Sequence, residues 1–392
     1  MSGHAVMHAP VGGRLLTPAF KALLAAIAVG ALAALWRFAA GIGAVSNLSD
    51  GYPWGIWIGI DVVTGTALGC GGYAIALLVY VLNKGEYHPL VRPAILTSLL
   101  GYGLAVLAVA IDLGRFWNLW KVPVYFWRWT HSPQLEVALC VATYVAVLLV
   151  ELSPAAFEKW RKTGSGALRA WSERGLRFMD RALIWILALG LLLPTMHQSS
   201  LGTMMLLPAT KLHALWFTAW LPLLFLVNAV LMGYGAVVLE GHLAARAFKR
   251  PLETEMFARL GRIILWVAAG WLAFRVLTVA GDLPLVASGI GVAFLFEVGL
   301  HLAVIWLLAS EVRRRSPGQQ FRAAMLLVLA GTLYRINVYL VAFNPGSHWS
   351  YFPAVPELLI TFGIIALEIA IYIAAVRTFP ILSGHPQPAA AR

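Results

Sequence analysis

Residues 212–243 read LHALWFTAWLPLLFLVNAVLMGYGAVVLEGHL, and Glu240 is the single Lys, Arg, Asp or Glu among them. A bilayer-spanning helix needs about 20 predominantly apolar residues, so this run is long enough to cross. The same kind of stretch recurs along the chain. Ten spans are expected, at roughly 18–43, 54–82, 90–117, 134–157, 178–200, 212–243, 259–280, 285–311, 321–344 and 356–380. Breakers sit between them at Tyr52-Pro53, His88-Pro89, Ser132-Pro133, Arg250-Pro251, Ser316-Pro317 and Asn344-Pro345-Gly346. Of the 392 residues, 60% are hydrophobic and 12% charged. Ordinary globular chains are about 45–50% apolar and about 25% charged. The expected fold class is therefore an all-α polytopic membrane protein. A soluble domain, a disordered chain and a coiled coil are excluded.

The expected organisation is a cytoplasmic N-terminal tail (1–17), a membrane domain (18–383) and a disordered cytoplasmic tail (384–392). The Ala/Leu-rich residues 22–35 follow Arg14 and Lys21, as in a signal peptide. The apolar run continues to Gly43, too long for a typical signal core, and reads as a retained first helix.

The net charge of +12 does not point to nucleic acid. One set of loops and the termini hold 22 of the 29 Lys/Arg; the other side holds Arg115, Lys121, Arg128, Lys211 and Arg275. Arg37 and Arg335 fall inside spans. Basic residues concentrate on the cytoplasmic side of membrane proteins, so both termini are expected in the cytoplasm. The longest outer loop, 118–133, carries Trp120, Trp127 and Trp129, with Trp117 just before it. These read as an interfacial aromatic belt or as a partner-docking surface.

Two cysteines, Cys70 and Cys140, are too few to ligate an iron–sulfur cluster, which takes about four such ligands. No metal site is expected. Ionisable groups inside a bilayer are functional candidates by default. Eight of the 17 carboxylates fall within spans: Asp61, Asp112, Glu136, Glu151, Glu240, Glu297, Glu357 and Glu368. With Arg115, His197, Gln198, His213 and Arg335, several of them form a polar cluster in the outer third of the bundle. Glu136 and Glu151 lie about 60° apart on one helix and about 22 Å apart along its axis. Glu297 and His301 stand at i, i+4 and can touch. Glu357 and Glu368 share a face. Carboxylates spread through the membrane suit a proton path. Structural readings stand beside these: an Asp112–Arg115 pair at a helix end, a satisfied Glu297–His301 pair, and Arg335 neutralising a buried carboxylate. His197, His213, His242 and His301 are the candidate haem ligands. No two recur on one helix at the spacing that stacks two haems, so haem b is not expected.

Several motifs resemble a known family. They are Gly51-Tyr52-Pro53-Trp54-Gly55-Ile56-Trp57-Ile58-Gly59-Ile60-Asp61, Tyr87-His88-Pro89-Leu90-Val91-Arg92-Pro93, Asp112-Leu113-Gly114-Arg115-Phe116-Trp117-Asn118, Leu193-Pro194-Thr195-Met196-His197-Gln198-Ser199-Ser200 and Val341-Ala342-Phe343-Asn344-Pro345-Gly346. The chain resembles the NrfD/polysulfide reductase membrane subunits over about residues 14–383, and within them the membrane subunits of hydrogenase-2-type NiFe hydrogenases. The resemblance implies two four-helix bundles, spans two to five (54–200) and six to nine (212–344), flanked by spans one and ten. It implies a subunit that holds no redox metal and passes electrons to menaquinone. Its partners would be a periplasmic ferredoxin-like iron–sulfur subunit and the large and small subunits of a hydrogenase. It places the quinone among Asp61, Tyr102, Asp112, Arg115, Glu136, His197 and Gln198. On that reading His197 and Tyr102 bond the carbonyls, Glu136 and Asp112 relay protons, and Arg115 orients Asp112. Glu151, Glu240, Glu297, His301 and Glu368 are the further proton-transfer candidates. The competing functions are a sulfur-metabolism complex, a di-haem cytochrome b and a proton-coupled transporter. The transporter reading lacks paired broken helices at matching positions.

Overall fold

The computed structural model describes residues 8–383; residues 1–7 and the tail at 384–392 lie outside the described residues. The described residues form helices joined by short connections, with isolated bridges and no strand. Nine helices among them are long and apolar enough to cross a membrane. These are α1 (Pro18–Ala40), α2 (Trp57–Val81), α3 (Gly85–Asp112), α4 (Pro133–Thr163), α6 (Leu221–Ala247), α7 (Thr254–Leu277), α8 (Gly291–Ala309), α9 (Pro317–Val341) and α10 (Val355–Thr378). The remaining expected span, 178–200, is the second part of α5 (Gly166–Met204), a helix of 39 residues.

Two boundaries differ instructively from expectation. The basic stretch 159–181, expected as a loop, is helical: α4 and α5 extend past their apolar parts and turn at Gly164–Ser165. Phe157, Trp160 and Trp171 pack edge-on and tilted against one another and hold the two extensions together. Residues 212–220, apolar enough to read as membrane helix, do not belong to α6. Leu212 instead pairs with Phe343 in an antiparallel bridge, and Trp216 turns inward and is buried.

Helices α2 to α5 pack into one ring and α6 to α9 into a second, joined where α2 meets α6 and α9 and where α5 meets α6. α10 packs on α1 outside the first ring and also touches α2 and α3. Small residues allow the closest approaches. A Cβ on Gly363 would stand 2.8 Å from the Gly30 Cα, so α1 and α10 cross backbone to backbone. A Cβ on Gly233 of α6 would stand 2.7 Å from the Cys70 carbonyl of α2, which is where the two rings meet.

The expected basic loops gather on one side. Val11 and Gly12 bond backbone to backbone with Val376 and Arg377, so the two ends of the membrane domain lie side by side. Arg92 bonds the Pro380 carbonyl at 3.1 Å and pairs with Glu158, Arg250 bonds the Ser383 carbonyl, and Arg315 reaches Glu255.

Candidate functional site

The site is organised by α2. Its glycine-rich sequence opens into wide π turns at Trp57–Thr64 and Leu77–Val81. Such turns concentrate at functional positions because they displace side chains and carbonyls from the regular ladder. Within two turns of α2, Asp61 faces α10, the Val63 carbonyl faces α9 and Thr66 faces α5.

Three of the expected quinone residues come together, all fully buried: Tyr102 of α3 and His197 and Gln198 of α5. Tyr102 Oη lies 2.9 Å from His197 Nε2 and 3.2 Å from Cys70 Sγ. Gln198 Nε2 is 2.9 Å from His197 Nε2 and donates to Thr66 Oγ1 at 3.2 Å. An amide N–H is only a donor, so His197 Nε2 accepts and the ring proton resides on Nδ1. His197 Nδ1 and Gln198 Oε1 are buried without a hydrogen-bond partner. One donor and one acceptor of this buried polar cluster are thus left over. Such groups cost about 1–3 kcal/mol each when left unpaired.

Sequence reasoning missed Tyr144, whose ring meets Tyr102 edge-on at 4.7 Å. It also missed Thr66 and the role of Cys70. A signal existed for Tyr144: it precedes Glu151 by seven residues, two helical turns on one face. Glu151 is half-buried and lines a cavity of about 200 Å³ together with Tyr144, Tyr73, His88 and Arg92. Its carboxylate packs where Gly190 has no side chain. The cavity therefore leads from Tyr144 toward the basic side. Glu136 is half-buried in the first turn of α4.

Asp61 and Asp112 lie elsewhere, toward α10. Asp61 Oδ2 accepts from Thr361 Oγ1 at 2.8 Å. Asp112 ends α3 with Oδ1 buried and unpartnered. The expected Arg115–Asp112 pair does not form: Arg115 is exposed and makes no ion pair among the described residues. α3 ends at Asp112 and the chain is extended at Leu113, so Asp112 and Arg115 no longer share a helical face. Arg37 of α1, buried, takes over this helix end by donating to the Ile111 carbonyl at 2.5 Å and to the Leu113 carbonyl. Glu357 accepts from Tyr351 Oη at 2.7 Å and from the Ala354 and Asn47 N–H groups at 2.8 and 3.0 Å, so it caps α10. Glu240 accepts from Thr97 Oγ1 and Tyr372 Oη, each at 2.7 Å. Glu368 projects from α10 between Thr361 and Tyr372; positions 361, 368 and 372 share one face of the helix.

The second ring holds a different arrangement. The expected side-chain contact between Glu297 and His301 is replaced by a bond from His301 Nδ1 to the Glu297 carbonyl at 2.8 Å. The Glu297 carboxylate turns away to Arg275 Nε at 3.2 Å, Trp216 Nε1 at 2.9 Å and Asn337 Nδ2 at 3.0 Å. Arg275, expected at the outer surface, is buried, and so is Glu297. Trp216 belongs to the loop before α6 and Arg275 to the end of α7, so Glu297 is near the end of the ring opposite the basic loops. It does not line the basic-side route expected of it. Arg335 meets no carboxylate; its partners are the Asn228 side chain and two backbone carbonyls. His213, His242 and His301 pack separately, against Trp216, Phe257 and Trp271.

Fold and site together define an all-α membrane protein with a buried polar cluster and unpaired hydrogen-bonding groups. Residues 44–345 match the family described as polysulphide reductase, NrfD. The chain belongs to that family. It is 38% identical over 384 residues to the probable Ni/Fe-hydrogenase 2 b-type cytochrome subunit of Escherichia coli (strain K12), covering 95% of this chain and 94% of that one. It is 28% identical over 254 residues to the menaquinone reductase integral membrane subunit of Nitratidesulfovibrio vulgaris, covering 63% and 58%. It is 23% identical over 376 residues to the Hdr-like menaquinol oxidoreductase integral membrane subunit of Archaeoglobus fulgidus, covering 86% and 87%.

Proposed function

We propose that this chain is the quinone-reactive membrane subunit of a respiratory oxidoreductase. It takes electrons from a periplasmic ferredoxin-like iron–sulfur partner and passes them to menaquinone in a bacterial inner membrane. The observation that carries the reading is that the consecutive residues His197 and Gln198, both buried at Tyr102, leave one donor (Nδ1) and one acceptor (Oε1) without a partner. A quinone carbonyl accepts a hydrogen bond and a quinol hydroxyl donates one, so the pair serves both ends of the reaction. The named menaquinone relatives support the ligand class.

Reduction consumes two electrons and two protons per quinone. Glu151, its cavity and the Tyr144–Tyr102 contact are arranged to bring protons from the basic side, which by its Lys/Arg content faces the cytoplasm with both termini. Tyr102 and His197 hand them to the ligand oxygens. Glu240, Glu368 and Asp61 along α10 support coupling to proton movement. Glu297 and His301 serve structure in this reading, as does Glu357.

The source of electrons is assigned to a NiFe hydrogenase from the Escherichia coli relative. Hydrogen-driven reduction of a menaquinone analogue in native membranes tests it, with the gene intact and deleted. Loss of that activity with hydrogenase activity toward a soluble dye retained is the expected result. Unchanged activity moves the partner to another oxidoreductase, with sulfur metabolism next, as the family description suggests.

A further inference from the structure

Arg335 is fully buried at the junction of the two rings, where a charge is costly unless something compensates it. Its guanidinium is solvated on three sides by neutral oxygens: Asn228 Oδ1 at 2.8 Å, the Phe225 carbonyl at 2.7 Å and the Val63 carbonyl at 2.8 Å. No carboxylate lies within ion-pair distance among the described residues. Dipoles hold the group in place and leave its charge uncancelled. Arg275, the other arginine buried in the second ring, has Glu297 as counter-ion. The bond to Val63 crosses from α9 to α2. Three residues further along α2, Thr66 holds Gln198, which holds His197. The titratable groups within electrostatic reach of the guanidinium are Cys70, Tyr102, His197, Tyr334 and Tyr339, and none is a carboxylate. Beyond Tyr334 stands the Arg275–Glu297 pair, neutral overall.

We propose that Arg335 is the fixed positive charge of the quinone site, stabilising negative charge on the ligand oxygens as electrons arrive ahead of protons. The inference rests on the reading of the Tyr102–His197–Gln198 cluster as that site. The balance is unchanged: the partner supplies two electrons, the proton route two protons, and neutral quinol leaves. Arg335 exchanges no proton, because a guanidinium stays charged throughout the working range. It acts as a preorganised charge, worth far more in a dry interior than in water. Because the fully protonated product is neutral, its effect falls on turnover rather than on binding.

The experiment compares wild type, Arg335→Gln and Arg335→Lys in membranes holding the whole complex, with hydrogen as donor and 2,3-dimethyl-1,4-naphthoquinone as acceptor. The expected result for Arg335→Gln is a kcat at least tenfold lower, with KM within threefold. Its deficit relative to wild type widens from pH 6 to pH 8, because protons must then neutralise the ligand themselves. Arg335→Lys restores most of the loss. A kcat within twofold of wild type in Arg335→Gln overturns the proposal. So does equal loss in both variants with dye reduction and protein level falling alongside, which marks a structural clamp. Failure of the site reading looks different: His197→Ala retains naphthoquinone reduction, whereas no reduction by wild type means that hydrogen is not the donor.

Discussion

The two rings bury similar chemistry and differ in how they treat its charge. In the second, the Glu297 carboxylate collects Arg275, Trp216 and Asn337 and ties α8 to α7, α9 and the loop before α6, so its charge is paired even though Arg275 Nη1 and His301 Nε2 lack a partner. In the first, Tyr102, His197 and Gln198 converge, yet a donor and an acceptor are left over, with an uncancelled guanidinium from the second ring beside them. A polar knot with its carboxylate fully bonded is a fastening. Both rings keep spare hydrogen-bonding atoms; the first alone has them next to a charge without a counter-ion, which equips it for a ligand that changes charge. The comparison teaches where to expect loss of protein and where to expect loss of activity alone.

The largest effect is expected from Glu297→Ala. It strands Arg275 as a buried charge and should cost about 3–5 kcal/mol. The check is the protein level in membranes and the thermal inactivation of the complex. A stable variant that has lost only proton uptake would break the comparison and return Glu297 to the proton path.

His197→Ala comes next. Quinone reduction is expected to fall about 100-fold, the scale of a lost proton-transfer group. Assembly and dye reduction should hold within experimental scatter, and the two assays run on one membrane preparation decide it. Tyr144→Phe keeps the ring contact and removes only the hydroxyl on the cavity wall; turnover is expected to fall about threefold to tenfold, less than 2 kcal/mol of barrier. Glu240→Gln in proteoliposomes should reduce proton uptake from the inner side while the quinone KM stays put. The smallest effect belongs to Glu158→Gln, which removes the half-exposed partner of Arg92 and should cost about 1 kcal/mol or less. A larger loss would mean that the basic side is fastened as firmly as the second ring.

How much was legible beforehand varied with the kind of question. Runs such as 212–243 announce membrane helices because a bilayer rewards apolar length whatever the partners. Their ends were less legible. The helical extensions around Phe157, Trp160 and Trp171 are polar and lie outside the apolar stretch. Residues 212–220 look like helix, but their Trp216 is needed at Glu297. His197 and Gln198 were legible as intramembrane polar groups at suitable depth, whereas Tyr102 was legible only through the family resemblance. Arg115 was misplaced because spacing along a helix does not tell where a chain turns after its last residue, and Arg37 is distant in sequence from the helix end that it holds. Tyr372 and Thr97 escaped notice because hydroxyls carry no charge that would make them conspicuous in an apolar span.

Composition and pattern alone settled that this is a polytopic helical membrane protein and that its ionisable groups are embedded. They also gave a count of two cysteines, from which no iron–sulfur cluster held by this chain was expected. These are statements about transfer free energy and ligand arithmetic, which are local and additive. Tertiary structure decided which embedded groups meet. Glu297 found Arg275 rather than His301, and Arg335 found carbonyls rather than a carboxylate. Pairing inside a membrane depends on the rotation and crossing of each helix. Those are set here by close approaches such as Gly30 on Gly363 and Gly233 on Cys70, contacts between residues far apart in the chain.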